Sequence, residues 1–303
     1  MGWGGEEVSG PDIETLAYWH ALWKNWDTIR RRRNINVKKF LSRLSSGEKP
    51  EDILGRGAVK VTDQDRLEVE TLLKEGVRVV PIISPDYPSE LRGYPPNGKI
   101  YPPLVIYYTG NVGAVNFDRC VAIVGTRNCS LHGRINARLV AMRLAEAGIT
   151  VVTGFARGID TEATCGALEA GGSVIAVLPW LRPIYPPENE RLSLDVKRRG
   201  ILLCETTEKP RGRLAKRQIF RRNRIISGLS KAVIVIETGR TGGSFYQVRY
   251  ALKKGKKVLI LRPDEEHKDL LEGFMRFVHK GAEPANDIDS AVKRVLEVLS
   301  SSS

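Results

Sequence analysis

Four stretches of this 303-residue chain carry side chains suited to holding a polyanion. The most basic is Lys209–Arg224, where eight of sixteen residues are Lys or Arg and none is Asp or Glu. Cations crowded this closely repel one another unless an anion sits among them. Phe220 is interleaved with them, and aromatic plus basic is the composition of a groove that tracks a phosphate backbone while stacking bases. A merely solvated run would mix Glu among its cations. The other three stretches are Gly-containing loops. One is Gly125-Thr126-Arg127-Asn128, followed by Cys129 and Ser130. The next is Gly154-Phe155-Ala156-Arg157-Gly158-Ile159-Asp160, and the last is Gly239-Arg240-Thr241-Gly242-Gly243-Ser244, leading to Gln247. Glycine lets backbone N–H groups approach a phosphate at a helix N-terminus, and Ser244 or an arginine adds a donor. Each loop alone is a weak signal, because an ordinary strand-to-helix turn has the same composition. Asp160 would sit in a first helical turn, a structural position.

Catalytic groups are sparse by comparison. The four histidines are scattered, and no Ser-His-Asp or metal-ligand cluster emerges. Cys120, Cys129, Cys165 and Cys204 fall singly, without a C-x-x-C, which disfavours both zinc and a disulfide framework. The Gly125 loop is not a G-x-G-x-x-G, so a dinucleotide is disfavoured as well. The expectation is a binding protein with no metal, no cofactor and no enzymatic activity.

The elements that must position these loops follow from periodicity. Residues 1–12 are Gly-rich and acidic and read as a disordered tail. A small helical domain is expected over 13–76. In it Leu16, Trp19, Trp23 and Trp26 share a helix face, as core or as a base-stacking platform. Arg30–Arg33 follow as a solvated helix end or a phosphate contact. Residues 63–75 read as a helix ended by Gly76. A β-run from Val77 to Ile83 opens the second domain, 77–303, and Pro95, Pro96, Pro102 and Pro103 punctuate a linker.

Six short apolar runs come next: Cys120–Val124, Ile149–Thr153, Ser173–Leu178, Ile201–Cys204, Ala232–Ile236 and Lys257–Leu261. Helical spacing separates them, and an amphipathic helix covers 286–299. Buried strands alternating with helices predict an α/β fold, a Rossmann-like, doubly wound, mostly parallel sheet. Such sheets bind ligands at the carboxyl ends of their strands, where the Gly loops fall. The net charge of +13 and pI near 9.7 favour a polyanionic partner, although a charged surface that serves only solubility has the same composition. No apolar run approaches the roughly 20 residues of a membrane span, and the first residues lack a signal peptide's pattern, so a cytoplasmic protein is expected.

Five motifs in order resemble the DNA-processing protein A (DprA/Smf) family. They are Val124-Gly125-Thr126-Arg127, Thr153-Gly154-Phe155-Ala156-Arg157-Gly158-Ile159-Asp160-Thr161, Gly171–Leu178, Tyr185-Pro186-Pro187-Glu188-Asn189 and Arg222-Asn223-Arg224-Ile225-Ile226-Ser227-Gly228-Leu229-Ser230. The resemblance covers about residues 75–265, including Asp86-Tyr87-Pro88. It implies a Rossmann-like domain that binds and protects single-stranded DNA, forms a homodimer and helps load a RecA-type recombinase, in DNA recombination or uptake. Gly125, Thr126 and Arg127 match the family's phosphate-contacting turn. Gly154 and Arg157 match its Gly-x-Ala-Arg-Gly-Ile-Asp loop, and Asn223 and Arg224 its Arg-Asn-Arg. Lys216 lies in the basic approach to that motif. With Ser130, Phe220, Arg222, Gly243 and Ser244, these are the expected nucleic-acid contacts, with bases stacking on Phe220 or Phe155. The chain departs from the family at Ala163-Thr164, where Ala-His is usual, and at Thr241–Gln247. No counterpart of the winged-helix tail of many members is expected from its motifs.

A second class of protein shares the fourth loop. Lysine-decarboxylase-like phosphoribohydrolases cleave nucleotide N-glycosidic bonds with a carboxylate at the end of a Pro-Gly-Gly-x-Gly-Thr-x-x-Glu motif. The matching residue here is Gln247, an amide that exchanges no proton near neutral pH. Asp160 and Glu237 are the remaining carboxylates for such chemistry. A sensor of a small phosphorylated ligand is the third reading, which the eight cations of 209–224 disfavour.

Overall fold

A computed structural model of the chain describes residues 11–93, 101–239, 244–263 and 267–301. The chain divides into two compact units, one of residues 1–87 with 103–106 and one of 88–102 with 107–303. The smaller unit thus runs past the expected limit at residue 76 and takes in a later strand segment.

The smaller unit holds α1 (Ile13–Lys24), α2 (Trp26–Arg32), α3 (Val37–Ser45), α4 (Pro50–Leu54), α5 (Asp63–Lys74) and β1 (Arg78–Pro81). Side-chain caps start its longer helices. Asp12 accepts from the Thr15 N–H, and Thr62 and Asp65 form a reciprocal capping box. Trp19 and Trp26 are 2% and 1% exposed, and the Trp26 ring lies 4.9 Å from that of Phe40. The tryptophan face is therefore core, and no base can stack on it. The Arg30–Arg33 run ends with Arg33 donating to the Leu54 carbonyl at 2.7 Å. His20, Asp65 and Glu68 converge, but the Lys24 ammonium lies among them, 3.2 Å from Asp65 and 2.9 Å from Glu68.

The larger unit begins with α6 (Ser89–Arg92) and β2 (Val105–Gly110), whose Val105 and Ile106 belong to the smaller unit beside β1. Then come β3 (Cys120–Val124), α7 (Leu131–Glu146), β4 (Thr150–Thr153), α8 (Ile159–Glu169), β5 (Val174–Val177), α9 (Glu190–Arg199) and β6 (Gly200–Cys204). The chain continues through α10 (Arg213–Arg221), α11 (Asn223–Leu229), β7 (Ala232–Val235), α12 (Ser244–Lys253) and β8 (Lys257–Leu261). It ends with α13 (Lys268–Val278), β9 (Glu283–Ala285) and α14 (Ile288–Ser300).

Every expected apolar run is a strand. The order across the larger unit is β2-β6-β5-β4-β3-β7-β8-β9. All of these neighbours are parallel except β2, which runs antiparallel to β6. Neither β2 nor β9 was expected. β3 to β7 are buried along their whole length, as strands covered on both faces must be. The helices form two packed sets: α7 with α8, α8 with α9 and α14 with α7, and separately α11 with α12.

The winding places the loops. From β3 the chain moves outward through β4, β5 and β6, then returns to lay β7 on the other side of β3. At this reversal the loops after β3, β4 and β7 open at one edge of the sheet, as such switch points require. Among the described residues no helix is long and apolar enough to cross a membrane. All four cysteines are free thiols.

Candidate nucleic-acid interface

The loops after β3, β4 and β7 are tied together by backbone hydrogen bonds. The Thr126 N–H donates to the Glu237 carbonyl at 2.8 Å, and the Ile159 N–H donates to the Thr126 carbonyl at 3.3 Å. Gly158 makes the second junction possible. Its φ is +75°, and a Cβ there would meet the carbonyl oxygens of Thr126 and Arg127 at 2.6 Å. Asn189, from the Tyr-Pro-Pro-Glu-Asn motif, is buried and fixes the same loop, donating to the Phe155 carbonyl at 3.0 Å and to Thr161 Oγ1 at 2.9 Å.

The tied loops wall a cleft of about 540 Å³. Gly125, Thr126, Arg127 and Asn128 form one side, Ala156 and Asp160 another, and Arg222, Asn223, Ser244 and Gln247 the third. Arg222 is its central group. Only 4% of this residue is exposed, and its Nη1 donates to the Val177 carbonyl at 2.9 Å. Its Nε is buried without a hydrogen-bond partner among the described residues. The guanidinium lies against Gly154, where any Cβ would collide with it. Burial lowers the Arg222 pKa to about 10, against the pull of Asp160 and with the push of Arg127. Burial likewise raises the Asp160 carboxyl to about 6, although Arg222, Arg127 and the N–H groups of Ala156 and Gly154 oppose the rise. A desolvated cation lining the cleft, opposite a weakened counter-charge, favours an anion there.

A second hollow of about 320 Å³ adjoins the cleft and shares Phe220, Asn223 and Tyr246 with it. Its remaining lining is Tyr101, Arg217, Arg221, Arg224 and Tyr250. The Phe220 and Tyr246 rings stand 5.2 Å apart at a tilt of 59°.

A family model described as DNA recombination-mediator protein A matches residues 78–296. The chain belongs to that family. Its relatives include Protein Smf of Synechocystis, 36% identical over 204 residues that make up 66% of this chain and 49% of that protein. DNA processing protein DprA of Bacillus subtilis is 31% identical over 211 residues, 69% of this chain and 68% of its own length. The chain therefore spans about half the length of the Synechocystis relative. The solved structure of DprA from Streptococcus pneumoniae superposes with a TM-score of 0.66 at 25% identity, covering 93% of this chain and 96% of that one. DNA processing protein A from Helicobacter pylori, solved for its single-stranded DNA binding mode, gives 0.61 at 25% identity, covering 73% and 96%.

The recombination-mediator motifs divide into residues that face the cleft and residues already engaged. Gly125, Thr126, Arg127, Arg222, Asn223 and Ser244 line the cleft, and Phe220 stands between the cleft and the hollow at 38% exposure. Ser244 starts α12, and its hydroxyl is 2.8 Å from that of Thr238. Gly154 lies beneath the Arg222 guanidinium. Lys216 is exposed on α10, outside both lining sets, and Gly243 lies outside the described residues.

Three expected contacts have protein partners instead. Ser130 caps α7, and both its N–H and its hydroxyl donate to the Glu237 carboxylate. Glu237 thus fills the position at that helix N-terminus where an outside anion was expected. Arg157 pairs with Glu188 at the exposed surface. Arg224 is 8% exposed and grips Glu205 through two 2.6 Å hydrogen bonds, so its first partner is a carboxylate rather than a phosphate. Burial alone would raise the Glu205 pKa, but Arg224 and Arg221 hold it near 2, fully ionised. Phe155 is wholly buried and offers no face to a base. Thr164, where the family usually has His, is also buried, 3.0 Å from the Thr153 hydroxyl and donating to the Asp160 carbonyl.

Tyr101, Tyr246 and Tyr250 escaped the reading of the sequence, and Arg217 and Arg221 entered it only as part of the basic stretch 209–224. Two signals were available. Tyr246 and Tyr250 are four apart on α12, while Arg217, Phe220 and Arg221 have i, i+3, i+4 spacing on α10, so each set shares a helix face.

Proposed function

We propose that this chain binds single-stranded DNA across the cleft at the carboxyl ends of β3, β4 and β7, and that it does so without turning the strand over. The observation that carries this reading is the buried Arg222 guanidinium in a cleft also lined by Arg127. A phosphodiester there supplies negative charge to both cations. The exposed cations Arg127, Lys216 and Arg217 extend the positive track, and Phe220 gives a base something to stack on. The single-stranded DNA named for the Helicobacter pylori relative supports a strand over a duplex.

The family's description as a recombination mediator supports a RecA-type recombinase as the protein partner. Homodimer formation and action in the cytoplasm belong to the same reading. The N-glycosidase alternative has less support. The position its chemistry needs is Gln247, buried with its Nε2 directed at Asn223 Oδ1 3.4 Å away, and Glu237 is engaged by Ser130.

The test is a titration of labelled single-stranded and duplex oligonucleotides at several salt concentrations. About four neutralised phosphates give a log–log slope near −3 for a single strand. Arg127→Glu should weaken strand binding roughly ten- to hundredfold. Equal affinity for duplex, or a flat slope, would overturn the reading. Release of base from nucleotide monophosphates, followed alongside, would reverse the ranking if it occurred.

A further inference from the structure

We propose that Glu205 is a positioning residue that makes the cleft select a strand over a duplex. It ties Arg221 and Arg224 to the end of β6, which turns Arg222 and Asn223 toward the cleft and withholds two cations from any phosphate outside it. The inference rests on the proposed strand binding and adds the means by which a single strand is chosen.

Glu205 directly follows β6, is 1% exposed and lines neither the cleft nor the hollow. A carboxylate so placed must be paired. Its two oxygens take the Arg224 guanidinium in a fork, Nη1 on Oε1 and Nη2 on Oε2, each at 2.6 Å. Arg221 Nε lies 3.6 Å from Oε2. Arg224 also donates from Nε to the Tyr101 carbonyl and from Nη1 to the Arg221 carbonyl, both at 2.8 Å. Every nitrogen of that guanidinium thus has an acceptor within the protein.

Spacing converts the grip into an orientation. Arg221 ends α10 and Asn223 opens α11, with Arg222 between them in helical geometry at φ −62° and ψ −22°. Residues three apart on a helix share a face, so holding 221 and 224 leaves 222 and 223 on the other side. Arg222 and Asn223 do line the cleft, and Arg221 and Arg224 do not. The grip also recesses the charge. A duplex carries one phosphate per roughly 1.7 Å of axis and a strand one per roughly 3.4 Å, so an open array of cations favours the duplex. Arg222 is instead 4% exposed in a cleft of about 540 Å³, which a single backbone can enter and a duplex cannot. Released from Glu205, Arg221 and Arg224 would join Arg217 as open cations in the hollow that all three line.

The experiment titrates labelled single-stranded and duplex oligonucleotides across salt concentrations on the full chain, on Glu205→Gln and on Glu205→Gln combined with Arg224→Gln. Glutamine keeps the volume and one acceptor oxygen but not the charge. In Glu205→Gln the single-strand log–log slope should steepen by about 0.7 for each cation released. The ratio of strand to duplex affinity should fall roughly tenfold or more. Adding Arg224→Gln should take back about 0.7 of the steepening. A Glu205→Gln protein with the wild-type slope and ratio removes the inference while the cleft reading stands. Weaker binding of both forms at an unchanged slope also removes it, because a loosened fold does the same. Arg221→Gln, at a partly exposed position, decides the matter if the buried substitution does not fold. It should lower strand affinity severalfold by freeing one tie, at the wild-type slope. Unchanged affinity, or a slope flattened by about 0.7 as for a lost phosphate contact, overturns the inference. Failure of wild type to bind a single strand removes the inference and the reading beneath it together.

Discussion

Arg222 and Asp160 define the chemistry of the cleft through their desolvation. Each is buried, and each is pushed toward its neutral form by that burial, so neither satisfies the other fully. A phosphate near Arg222 adds negative charge beside Asp160 and favours its protonation further. Strand binding is therefore expected to take up a proton. Affinity should rise as pH falls from about 7.5 to about 5.5, by less than tenfold per unit, since one group cannot take up more than one proton. Asp160→Asn should flatten that dependence. The folding linkage has the same sign. Raised from 3.8 to about 6, the Asp160 carboxyl contributes most stability below its unfolded value and loses it as pH rises through about 6. Gly154 offers a cleaner handle on Arg222. A Cβ there collides with the end of a long side chain rather than with backbone, so Gly154→Ala should fold while displacing the guanidinium. The expected result is a loss of single-strand affinity of roughly tenfold or more, with a lowered unfolding midpoint because the buried Val177 carbonyl loses its donor.

At the scale of elements, α11 is the critical piece, because Asn223 at its start and Arg222 just before it both face the cleft. It spans only seven residues, too short to hold itself, so tertiary bonds must anchor it. Lys256 Nζ donates to the carbonyls of Ser227, Gly228 and Ser230 at 2.8, 2.6 and 2.5 Å, and Ser227 donates to the Gln247 carbonyl at 2.8 Å. Lys256→Met should leave those carbonyls unmet and cost about 1–3 kcal/mol in denaturant unfolding. Faster amide exchange in α11 than in α7 would locate the effect. The periodic elements were readable in advance for a physical reason. β3 to β8 are covered on both faces and so appear as continuous apolar runs. β9 is three residues long with Pro284 inside it and leaves no such run, whereas β2 does leave one, Val105–Tyr108, that the prolines just before it assigned to a linker.

Across the whole molecule, the net charge of +13 names the class of partner but not its seat. The smaller unit shows this. Its tryptophans and its Arg30–Arg33 run read as a core face with a solvated helix end or, alternatively, as a stacking and phosphate platform, and Trp26, 1% exposed and packed on Phe40, places the tryptophans in the core. Trp26→Ala should therefore act on stability, at about 3–5 kcal/mol in denaturant unfolding of that unit. Under conditions where the variant remains folded, single-strand affinity should match wild type. A large loss of binding without loss of stability would return the tryptophan face to the interface.

The sequence by itself determined the alternation of strands and helices, the loops that meet at the sheet's carboxyl edge, and the ordered motifs of the recombination-mediator family. These are local properties, set by burial periodicity and by backbone approach at glycines. Which cations remain available to a strand was decided only by the tertiary structure. Arg222 and Arg224 are two residues apart in one motif, yet one lines the cleft with an unmet donor and the other is held by Glu205. Glu237 is distant from Ser130 in sequence but fills the α7 N-terminus, and Glu188 pairs with Arg157 at the exposed surface. Charge pairing acts through space, and residues far apart along the chain determine it.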